Sequence, residues 1–558
     1  MESWTQIYVP LGGLWLSSLI AVIPILFYLV ALAILRWEGY LVGLGTIVVT
    51  VIIALAVYGM PAGLAVRATA MGMAYGLWPI SWIIVTAVFL YKLSVKSGQF
   101  EIIRASVIEL TGDQRLQVIL IGFAFGAFLE GAAGFGAPVA ITAAILTALG
   151  LNPLYAAGLC LIANTAPVAF GALGIPILVA GQTAGIDPFL VGQMAGRQLP
   201  LLSLFVPFFL VWLMDGFTGV RQTWPAVLVA GTAFAVTQFL TSNYIGPELP
   251  DITSSLVCMV AMTAFLKMWQ PSSAFRFSAA SGAVSATHVA VGAHAVSRSS
   301  YTTGQIFKAW SPFIILTAVV VVWTLPGFKA LFAAGGPLNW TALSFRVPGL
   351  HDLVIKTVPI VSKDTPYAAI YNLDLIPATG TGILFAAVIS MFVLGVPIRD
   401  AITVFGETVK ELLKPAFTIS CVLGFAYIAN YSGLSSTLAL AIASTGTLFP
   451  LFSPVLGWLG VFLTGSDTSS NALFSSLQSI TARQIGVSDV LTVAANSTGG
   501  VTGKMISPQS IAVACAAVGL VGRESELLRF TVKWSMFFLA IICIITFLQA
   551  YVVPGMIP

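Results

Sequence analysis

Hydrophobic residues form long uninterrupted runs along this chain, and short segments between the runs carry most of the charges. A helix needs about 20 apolar residues to cross a bilayer, and most of the runs are long enough. They lie near residues 13–35, 39–58, 77–95, 200–214, 224–240, 252–268, 310–328, 377–397 and 531–553. More hydrophobic segments lie between them. The pattern therefore predicts an all-α polytopic membrane protein with roughly 12–14 transmembrane helices plus re-entrant or broken helices.

Composition agrees with a membrane protein and narrows the function. The chain is 58% hydrophobic and 8% charged, whereas soluble domains have about 25% charged residues. Its formal net charge of +4 over 558 residues gives no case for binding nucleic acid. The five cysteines lack metal-ligand spacing and no phosphate-binding loop is present, so we expect neither metal nor cofactor, and an ATP-driven pump is disfavoured. The first run is too long for a signal peptide, and we expect it to be a retained helix.

Basic residues predict how the chain is oriented, because lysine and arginine mark the cytosolic side of membrane proteins. Lys92 and Lys96 close an early run, and the polar insert 270–308 carries basic residues without one acidic residue. We expect both to be cytosolic, the insert to be a flexible linker, segment 336–376 to be external, and both termini to be periplasmic. The predicted units are a first membrane half (1–269), the linker (270–309) and a second membrane half (310–558).

The two halves carry matching positions at a nearly constant offset. Asn496 follows Asn164 by 332 residues, and Gly433 follows Gly98 by 335 residues. Such a constant offset indicates an internal duplication. Because the charge rule places Gly98 inside and Gly433 outside, we predict two inverted-topology repeats, an architecture common in secondary transporters. Their cores are expected at about 77–190 and about 412–522.

One carboxylate stands alone at membrane depth in each half. Glu130 is the only charged residue in positions 116–186, and Asp467 is the only one in positions 415–482. A carboxylate inside the bilayer costs about 2.5–3.5 kcal/mol on insertion scales, and it usually lines a pathway or a proton relay. We therefore predict that Glu130 and Asp467 couple transport to protons. Glu130 is preferred, because its Gly/Ala/Phe surroundings favour a neutral carboxyl group.

Each repeat is predicted to contain two breaks in its helices, at 131–136 and 164–176 in the first and at 465–471 and 496–508 in the second. Unwound backbone is tolerated in a membrane only where it is buried in protein or lines a cavity. Half-helix N-termini there present N–H groups to an anion, and hydroxyls, amides and Lys504 add partners. The predicted substrate-binding residues are Gly131, Gly134, Asn164, Thr165, Ser466, Thr468, Ser469, Asn471, Asn496, Thr498, Thr502, Lys504, Ser507 and Gln509.

Structural alternatives stand beside these roles. Small residues and hydroxyls are common where membrane helices pack, so 131–136 could serve packing alone. Glu130 and Asp467 could each be half of a buried ion pair, and Lys504 could pair with Asp467 instead of a substrate. An intramembrane enzyme using Glu130 or Asp467 as acid/base would need a second catalytic group nearby. A passive channel is a further alternative, but duplication with opposed broken helices favours alternating access.

Five motifs resemble those of the bacterial lactate/glycolate permease family. They are FLEGAAGFGAP (128–138), NTAPVAFG (164–171), IGPELPD (245–251), TGSDTSSN (464–471) and GGVTGKMISPQ (499–509). The similarity runs from the first helix to the last and is weakest in 270–308 and 336–376. It implies a symporter of the bacterial inner membrane that imports glycolate, L-lactate and D-lactate with protons. It does not separate lactate from glycolate, although 4–6 and 241–247 look slightly more like the glycolate branch.

Proton coupling is physically reasonable for such a substrate. A 2-hydroxy monocarboxylate is ionised at neutral pH, and one added proton removes the net charge that would cost about 2.3 kcal/mol per 100 mV to move. Sodium coupling is the alternative. The implied partners are the substrate, protons and membrane lipid, and a homo-oligomer is allowed. By analogy with other inverted-repeat transporters, we expect the breaks to move against a scaffold of other helices.

Overall fold

The computed structural model describes residues 3–108, 110–132, 134, 137–271, 274–275 and 301–558. Most of the predicted linker, residues 272–273 and 276–300, lies outside the described residues, as do 133, 135 and 136 of the first predicted break. Within the described residues, ten helices are long and apolar enough to cross a membrane, or eleven if one bent pair counts as a single span. The membrane α-helical class expected from the hydrophobic runs is confirmed.

The first half of the chain contains thirteen helices in the described residues. They are α1 (Leu14–Ala21), α2 (Ile23–Ala33), α3 (Gly39–Ala56), α4 (Ala62–Tyr75), α5 (Trp82–Lys96), α6 (Gln99–Ile108), α7 (Gln114–Gln117), α8 (Gly126–Ala132), α9 (Ala137–Ala148), α10 (Pro153–Ala163), α11 (Gly171–Ala184), α12 (Pro188–Tyr244) and α13 (Pro250–Met268). π-Helical turns at Gly76–Ser81 and Val118–Phe125 join α4 to α5 and α7 to α8.

The second half contains ten further helices in the described residues. They are α14 (Thr303–Thr324), α15 (Pro326–Ala330), α16 (Thr379–Leu394), α17 (Ile398–Tyr431), α18 (Leu434–Ala443), α19 (Phe449–Thr464), α20 (Asp467–Gln484), α21 (Asp489–Lys504), α22 (Pro508–Ala517) and α23 (Glu524–Tyr551). Short 3-10 turns occur at Val168–Phe170, Asn339–Thr341, Gly446–Leu448 and Pro554–Met556.

Ten helices qualify as spans in the described residues, whereas 12–14 crossings were expected, and helix α12 explains part of this difference. Its 57 residues would extend about 85 Å at 1.5 Å per residue, far more than the roughly 30 Å of a hydrocarbon core. Non-helical angles at Asp215 and Gly216 turn the chain in its middle. The count of ten includes α12 once and leaves out shorter apolar helices such as α9 and α16.

Segment 336–376 is a small β-structured cap rather than a plain loop. Its strands are β2 (Ala342–Arg346), β3 (Val354–Lys356), β4 (Thr365–Pro366) and β5 (Ile370–Asp374). β2 and β5 are antiparallel, with Ala342 opposite Asp374. The N-terminal strand β1 (Trp4–Thr5) runs parallel to β3, and Trp4 is opposite Val354. The N-terminus and the cap therefore lie on the same side of the molecule.

Two hairpins of helices lie in corresponding places in the two halves. In the first, the chain from α7 to α8 returns along α9, and Gln114 Nε2 donates to Leu149 O at 3.3 Å where the two ends meet. In the second, α19 returns along α20, and Ser453 Oγ donates to Gln478 Oε1 at 2.8 Å. Among the described residues, the tips of these hairpins lie at Gly131 and Gly134 in the first and at Gly465 in the second, within the predicted breaks. Each hairpin is followed by a helix pair, α10–α11 or α21–α22.

Two large apolar clusters hold the helices together. The first cluster contains the π-helical turn after α7 and residues of α8–α10, α12, α13 and α21–α23. The second cluster contains residues of α2–α5 and α16–α18. Helix α11 contributes to both, because Ile177 packs in the first cluster and Leu173 and Val179 pack in the second. Helix α11, which follows the second break of the first half, therefore lies where the two clusters meet.

The second-half breaks are shorter than predicted. Ser466 Oγ accepts the N–H of Ser469, so α20 restarts at Asp467 and the break near 465–471 is confined to two residues. Helix α21 continues to Lys504, so the predicted break at 496–508 narrows to 505–507. The glycines of α21 serve close packing instead. A Cβ on Gly499 would lie 2.1 Å from Pro454 O of α19.

The breaks in the first half have different geometry. At the tip of the first hairpin, Gly131 is still helical, while Gly134 has a φ of +53°. Between α10 and α11, the backbone leaves the helix at Asn164, and Ala172, Leu173 and Gly174 all have positive φ. The left-handed conformation is unfavourable for alanine and leucine, so the surrounding packing holds this turn.

Candidate functional site

Glu130 and Lys504 form an ion pair that joins the two halves of the chain. Glu130 Oε1 lies 2.8 Å from Lys504 Nζ, and the two side chains are 3% and 12% exposed. Glu130 Oε2 accepts from Asn164 Nδ2 at 3.2 Å. A Cβ on Gly171 would lie 2.8 Å from Glu130 Oε1, so only glycine leaves space for the carboxylate there. The tip of the first hairpin, the first broken pair and the end of α21 therefore meet at one buried charge pair.

Lys504 pairs with Glu130 and not with Asp467, which corrects the structural alternative considered for it. Lys504 ends α21, where the negative end of the helix dipole favours a cation. Glu130 is close enough for a direct charge-assisted hydrogen bond. The ion pair and the Asn164 amide give Glu130 two polar partners, in contrast to the Gly/Ala/Phe setting on which the sequence prediction rested.

Asp467 lies in a separate group of uncharged donors. Asp467 is buried at the start of α20, and its Oδ2 accepts from Ser497 Oγ and, at 3.4 Å, from Asn471 Nδ2. Its other oxygen, Oδ1, has no hydrogen-bond partner among the described residues. A Cβ on Gly500 would lie 2.3 Å from that oxygen, so α21 and α20 enclose it closely.

An amide network extends from Asp467 to the first half of the chain. Asn471 Nδ2 donates to Pro176 O of α11 at 3.0 Å, and its Oδ1 accepts from Asn496 Nδ2 at 2.8 Å. Asn496 Oδ1 in turn accepts from Gln478 Nε2 at 3.1 Å. All three amide side chains are fully buried. The two halves of the chain are thus hydrogen-bonded to each other through α11 and α20.

Several other predicted binding residues have local structural contacts in this conformation. Thr165 and Thr502 donate to backbone oxygens of Ile162 and Gly499. Ser466 and Ser507 cap α20 and α22. Thr498 Oγ1 donates to Gln198 Oε1 at 2.6 Å, so it faces α12.

The remaining predicted residues lie around the second break. Thr468 and Ser469 are partly buried in the first turn of α20, and Ser469 interacts with the Tyr28 hydroxyl. Gln509 is exposed, and a Cβ on Gly465 would come 2.4 Å from its Oε1. The structure therefore brings Glu130, Asn164 and Lys504 together in one group, and Asp467, Asn471 and Asn496 in a second.

Asp251 is a buried carboxylic side chain that sequence reasoning missed. It lies in the first turn of α13 and is 0% exposed. A Cβ on Gly131 would lie 2.7 Å from its Cβ, and one on Gly174 would lie 2.2 Å from Pro247 O, so segment 245–251 packs against both first-half breaks. In sequence, Asp251 reads as an ordinary acidic residue before an apolar run. Its presence in the IGPELPD motif was the available signal.

Comparison with known proteins decides the family. The family model described as L-lactate permease matches residues 17–553. The chain belongs to the L-lactate permease family. It is 62% identical to the glycolate permease GlcA of Escherichia coli (strain K12) and 61% identical to an L-lactate permease of Salmonella typhimurium, with 100% of both chains covered in each case. The resemblance seen in the five motifs is confirmed.

The solved structure of MtrF from Neisseria gonorrhoeae is a more distant likeness. It matches with a TM-score of 0.49 and 13% sequence identity over 94% of this chain and 97% of that one. As a member of the L-lactate permease family with about ten apolar spans in its described part, the chain is a multi-pass membrane protein.

Proposed function

We propose that this member of the L-lactate permease family is a secondary active transporter that imports glycolate, L-lactate and D-lactate with protons across the bacterial inner membrane. Family membership and the names of relatives that match over the whole chain support the substrate class. The observation that carries the proposal is the Glu130–Lys504 pair, because it places a cation for an anionic substrate beside two helix breaks.

Lys504 is the proposed partner of the substrate carboxylate. An ammonium group has three N–H donors, and Glu130 accepts one of them in this structure. A substrate carboxylate can bind Lys504 beside Glu130 or in place of Glu130, and the positions of the charges change little in either case. Charge-assisted hydrogen bonds of this kind are about twice as strong as neutral ones.

Asn164 is the proposed partner of the substrate's 2-hydroxyl group. Its amide nitrogen donates to Glu130, which turns its carbonyl oxygen to the other side as an acceptor. A hydroxyl group adjacent to the carboxylate could reach that oxygen while the carboxylate contacts Lys504. Unhydroxylated acids such as propionate lack this donor, so they should bind more weakly.

The hairpin tips are the proposed moving parts. The second hairpin is hydrogen-bonded to α11 through the contact of Asn471 with Pro176 O, and α11 lies where the two apolar clusters meet. Asp467 has one oxygen without a hydrogen-bond partner among the described residues and Asp251 has two, so the buried carboxyl groups beside the breaks are the proposed sites for the coupled proton. Moving one proton with each anion means that no net charge crosses the membrane in a transport cycle.

Uptake of labelled glycolate and lactate into proteoliposomes tests the proposal, with the pH gradient and the voltage imposed separately. An inward proton gradient should drive accumulation without sodium, and voltage alone should have little effect. Unlabelled propionate should compete less well than unlabelled glycolate, and protein-free liposomes serve as the control. Accumulation driven by a sodium gradient but not by a pH gradient would show that the coupling ion is sodium.

A further inference from the structure

Asp251 is a buried carboxyl group for which the residues described above give no partner. It is 0% exposed, and neither of its oxygens has a hydrogen-bond partner among the described residues. An aspartate in the first turn of a helix is usually explained by favourable interaction with the helix dipole or by capping of N–H groups. Here the oxygens accept no backbone N–H, so capping does not account for the residue.

The charged groups that interact with Asp251 are those of the proposed substrate site. They are Glu130 on α8, against which the first turn of α13 packs, and Lys504 at the end of α21. Glu248, which precedes α13, is bound instead to Thr379 Oγ1 at 3.3 Å. Within the described part of the chain, α11, α12 and α14 also pack against α13, but the electrostatic interactions of Asp251 include no charged group on them.

The charge balance of this cluster depends on Asp251. Lys504 is already paired with Glu130, so an ionised Asp251 would leave one uncompensated negative charge in a buried setting. Burying an unpaired charge is far more costly than burying a neutral carboxyl group. A proton on Asp251 therefore makes the group of three side chains electrically neutral.

We infer that Asp251 carries the proton that is transported with each substrate anion, an inference that rests on the proposed proton symport. The Asp251 carboxylate takes a proton from the external side and becomes a carboxylic acid, while Lys504 receives the substrate anion. On the internal side the substrate leaves, and the carboxyl O–H gives its proton to water. No covalent bond other than that O–H bond forms or breaks.

The arrangement predicts an order of binding. An ionised Asp251 next to Glu130 repels the incoming anion, whereas a protonated Asp251 leaves Lys504 balanced by Glu130 alone. Proton binding therefore raises substrate affinity, and by linkage substrate binding raises proton affinity by the same factor. With one linked proton, apparent substrate affinity falls by up to about tenfold per pH unit above the pKa of the linked group.

Asp251→Asn mimics the protonated side chain with almost the same shape. Exchange of labelled for unlabelled glycolate, which needs no net proton movement, is the activity to follow in this variant. Its exchange should no longer depend on external pH, and an imposed pH gradient should no longer drive accumulation. Asp187→Asn is the matched control, since Asp187 is exposed and caps α12. It should keep both pH dependence and accumulation.

The outcomes separate this inference from the proposed function. If the unmodified protein accumulates glycolate on a pH gradient and Asp251→Asn does so equally well, Asp251 is not the proton carrier although proton symport stands. If Asp467→Asn alone removes the pH dependence, the proton belongs to Asp467. If the unmodified protein shows no response to the pH gradient, the proposed function itself fails.

A second measurement covers the case in which Asp251→Asn does not fold. Infrared difference spectra of the purified, unmodified protein with and without glycolate report protonated carboxyl groups directly. Asp251→Glu, which keeps a carboxyl group, should keep a carbonyl band of a buried protonated carboxyl group at a shifted frequency. An unshifted band in Asp251→Glu would assign the proton elsewhere.

Discussion

Lys504 Nζ and Glu130 Oε1 are 2.8 Å apart, although the two residues are separated by 374 positions in the chain. Glu130 ends the first arm of a hairpin in the first half, and Lys504 ends a helix in the second half. The ion pair thus connects the two halves at the point where helices of both halves are interrupted. A substrate anion that contacts Lys504 therefore changes the electrostatic interaction between the first-half hairpin and α21 of the second half.

Lys504→Met should weaken substrate binding by about 2 kcal/mol or more, because a charge-assisted partner is lost. That corresponds to roughly a thirtyfold lower apparent affinity for glycolate, measured by competition in proteoliposomes. Lys410→Met is the matched control, since Lys410 is exposed on α17. Unchanged affinity in a correctly inserted Lys504→Met protein would make the ion pair purely structural.

Glu130→Gln should destabilise the protein, because it leaves the Lys504 ammonium buried without a charge partner. Breaking a buried pair in this way costs about 3–5 kcal/mol. The double variant Glu130→Gln/Lys504→Met should recover much of that loss, and thermal unfolding in detergent of the two single variants and the double variant measures the coupling. Additive effects would show that the two side chains do not interact.

The same Glu130→Gln variant also tests which carboxyl group takes the proton. Glu130 has a charge partner in Lys504, whereas Asp251 has no hydrogen-bond partner among the described residues, so the pH dependence of glycolate exchange should persist in this variant. Loss of that dependence, with exchange retained, would restore Glu130 as the proton acceptor that its sequence context suggested.

Sequence alone locates the breaks better than it assigns the contacts within them. Lone carboxylates and clustered glycines mark the hairpin tips, because a carboxylate within an apolar membrane segment is energetically costly and usually has a function. The partner of Lys504 was not predictable, since Glu130 and Asp467 are equally isolated in sequence and only the packing of α21 chooses between them. Gly499 looked like a break, although in the structure it serves close packing on α19.

Other parts of the structure left a weaker trace in the sequence. Asp251 starts an apolar run like many helix-initiating aspartates, and its isolation is a property of the packed structure. The β-structured cap at 336–376 pairs with residues 4 and 5 at the other end of the chain. Short strands that pair over such a distance have no local periodicity from which the pairing could be read.

Arg115 is a buried cation that stabilises the turn in α12. Its side chain is 1% exposed and lies 2.7 Å from Asp113 Oδ2 and 2.8 Å from Asp215 Oδ2. Arg115→Met should lower stability by about 3–5 kcal/mol, because two carboxylates lose their shared partner. Arg221→Met, at an exposed position of α12, should have little effect. Equal unfolding temperatures for the two variants would contradict this assignment.

Lys356 gives the cap a pH-dependent stability. Burial, together with repulsion from Arg483, lowers the pKa of Lys356 to about 8 from 10.5. The unfolded chain therefore binds more protons than the folded cap between about pH 8 and 10.5, so stability should rise with pH across that range. Lys356→Gln should remove the rise, whereas Lys363→Gln at an exposed position should keep it. Resistance of the cap to proteolysis at a series of pH values measures the effect, and a flat profile in the unmodified protein would exclude it.

If the repeats are inverted, the bases of the two hairpins should lie on opposite sides of the membrane. The base of the first hairpin lies beside the linker, because Gln114 contacts Leu149 with its side chain and Phe275 O with its backbone N–H. The base of the second lies beside the cap, because Gln484 Nε2 donates to Pro359 O at 2.9 Å.

Single cysteines can test this arrangement in a background in which the five native cysteines, all buried, are replaced. Ala148→Cys and Arg483→Cys place thiols at exposed positions near the two hairpin bases. An impermeant thiol reagent should label Arg483→Cys in intact cells, and it should label Ala148→Cys only after the membrane is permeabilised. Because the charge rule puts the linker inside and the cap outside, labelling of both positions from the same side would favour a parallel duplication over an inverted one.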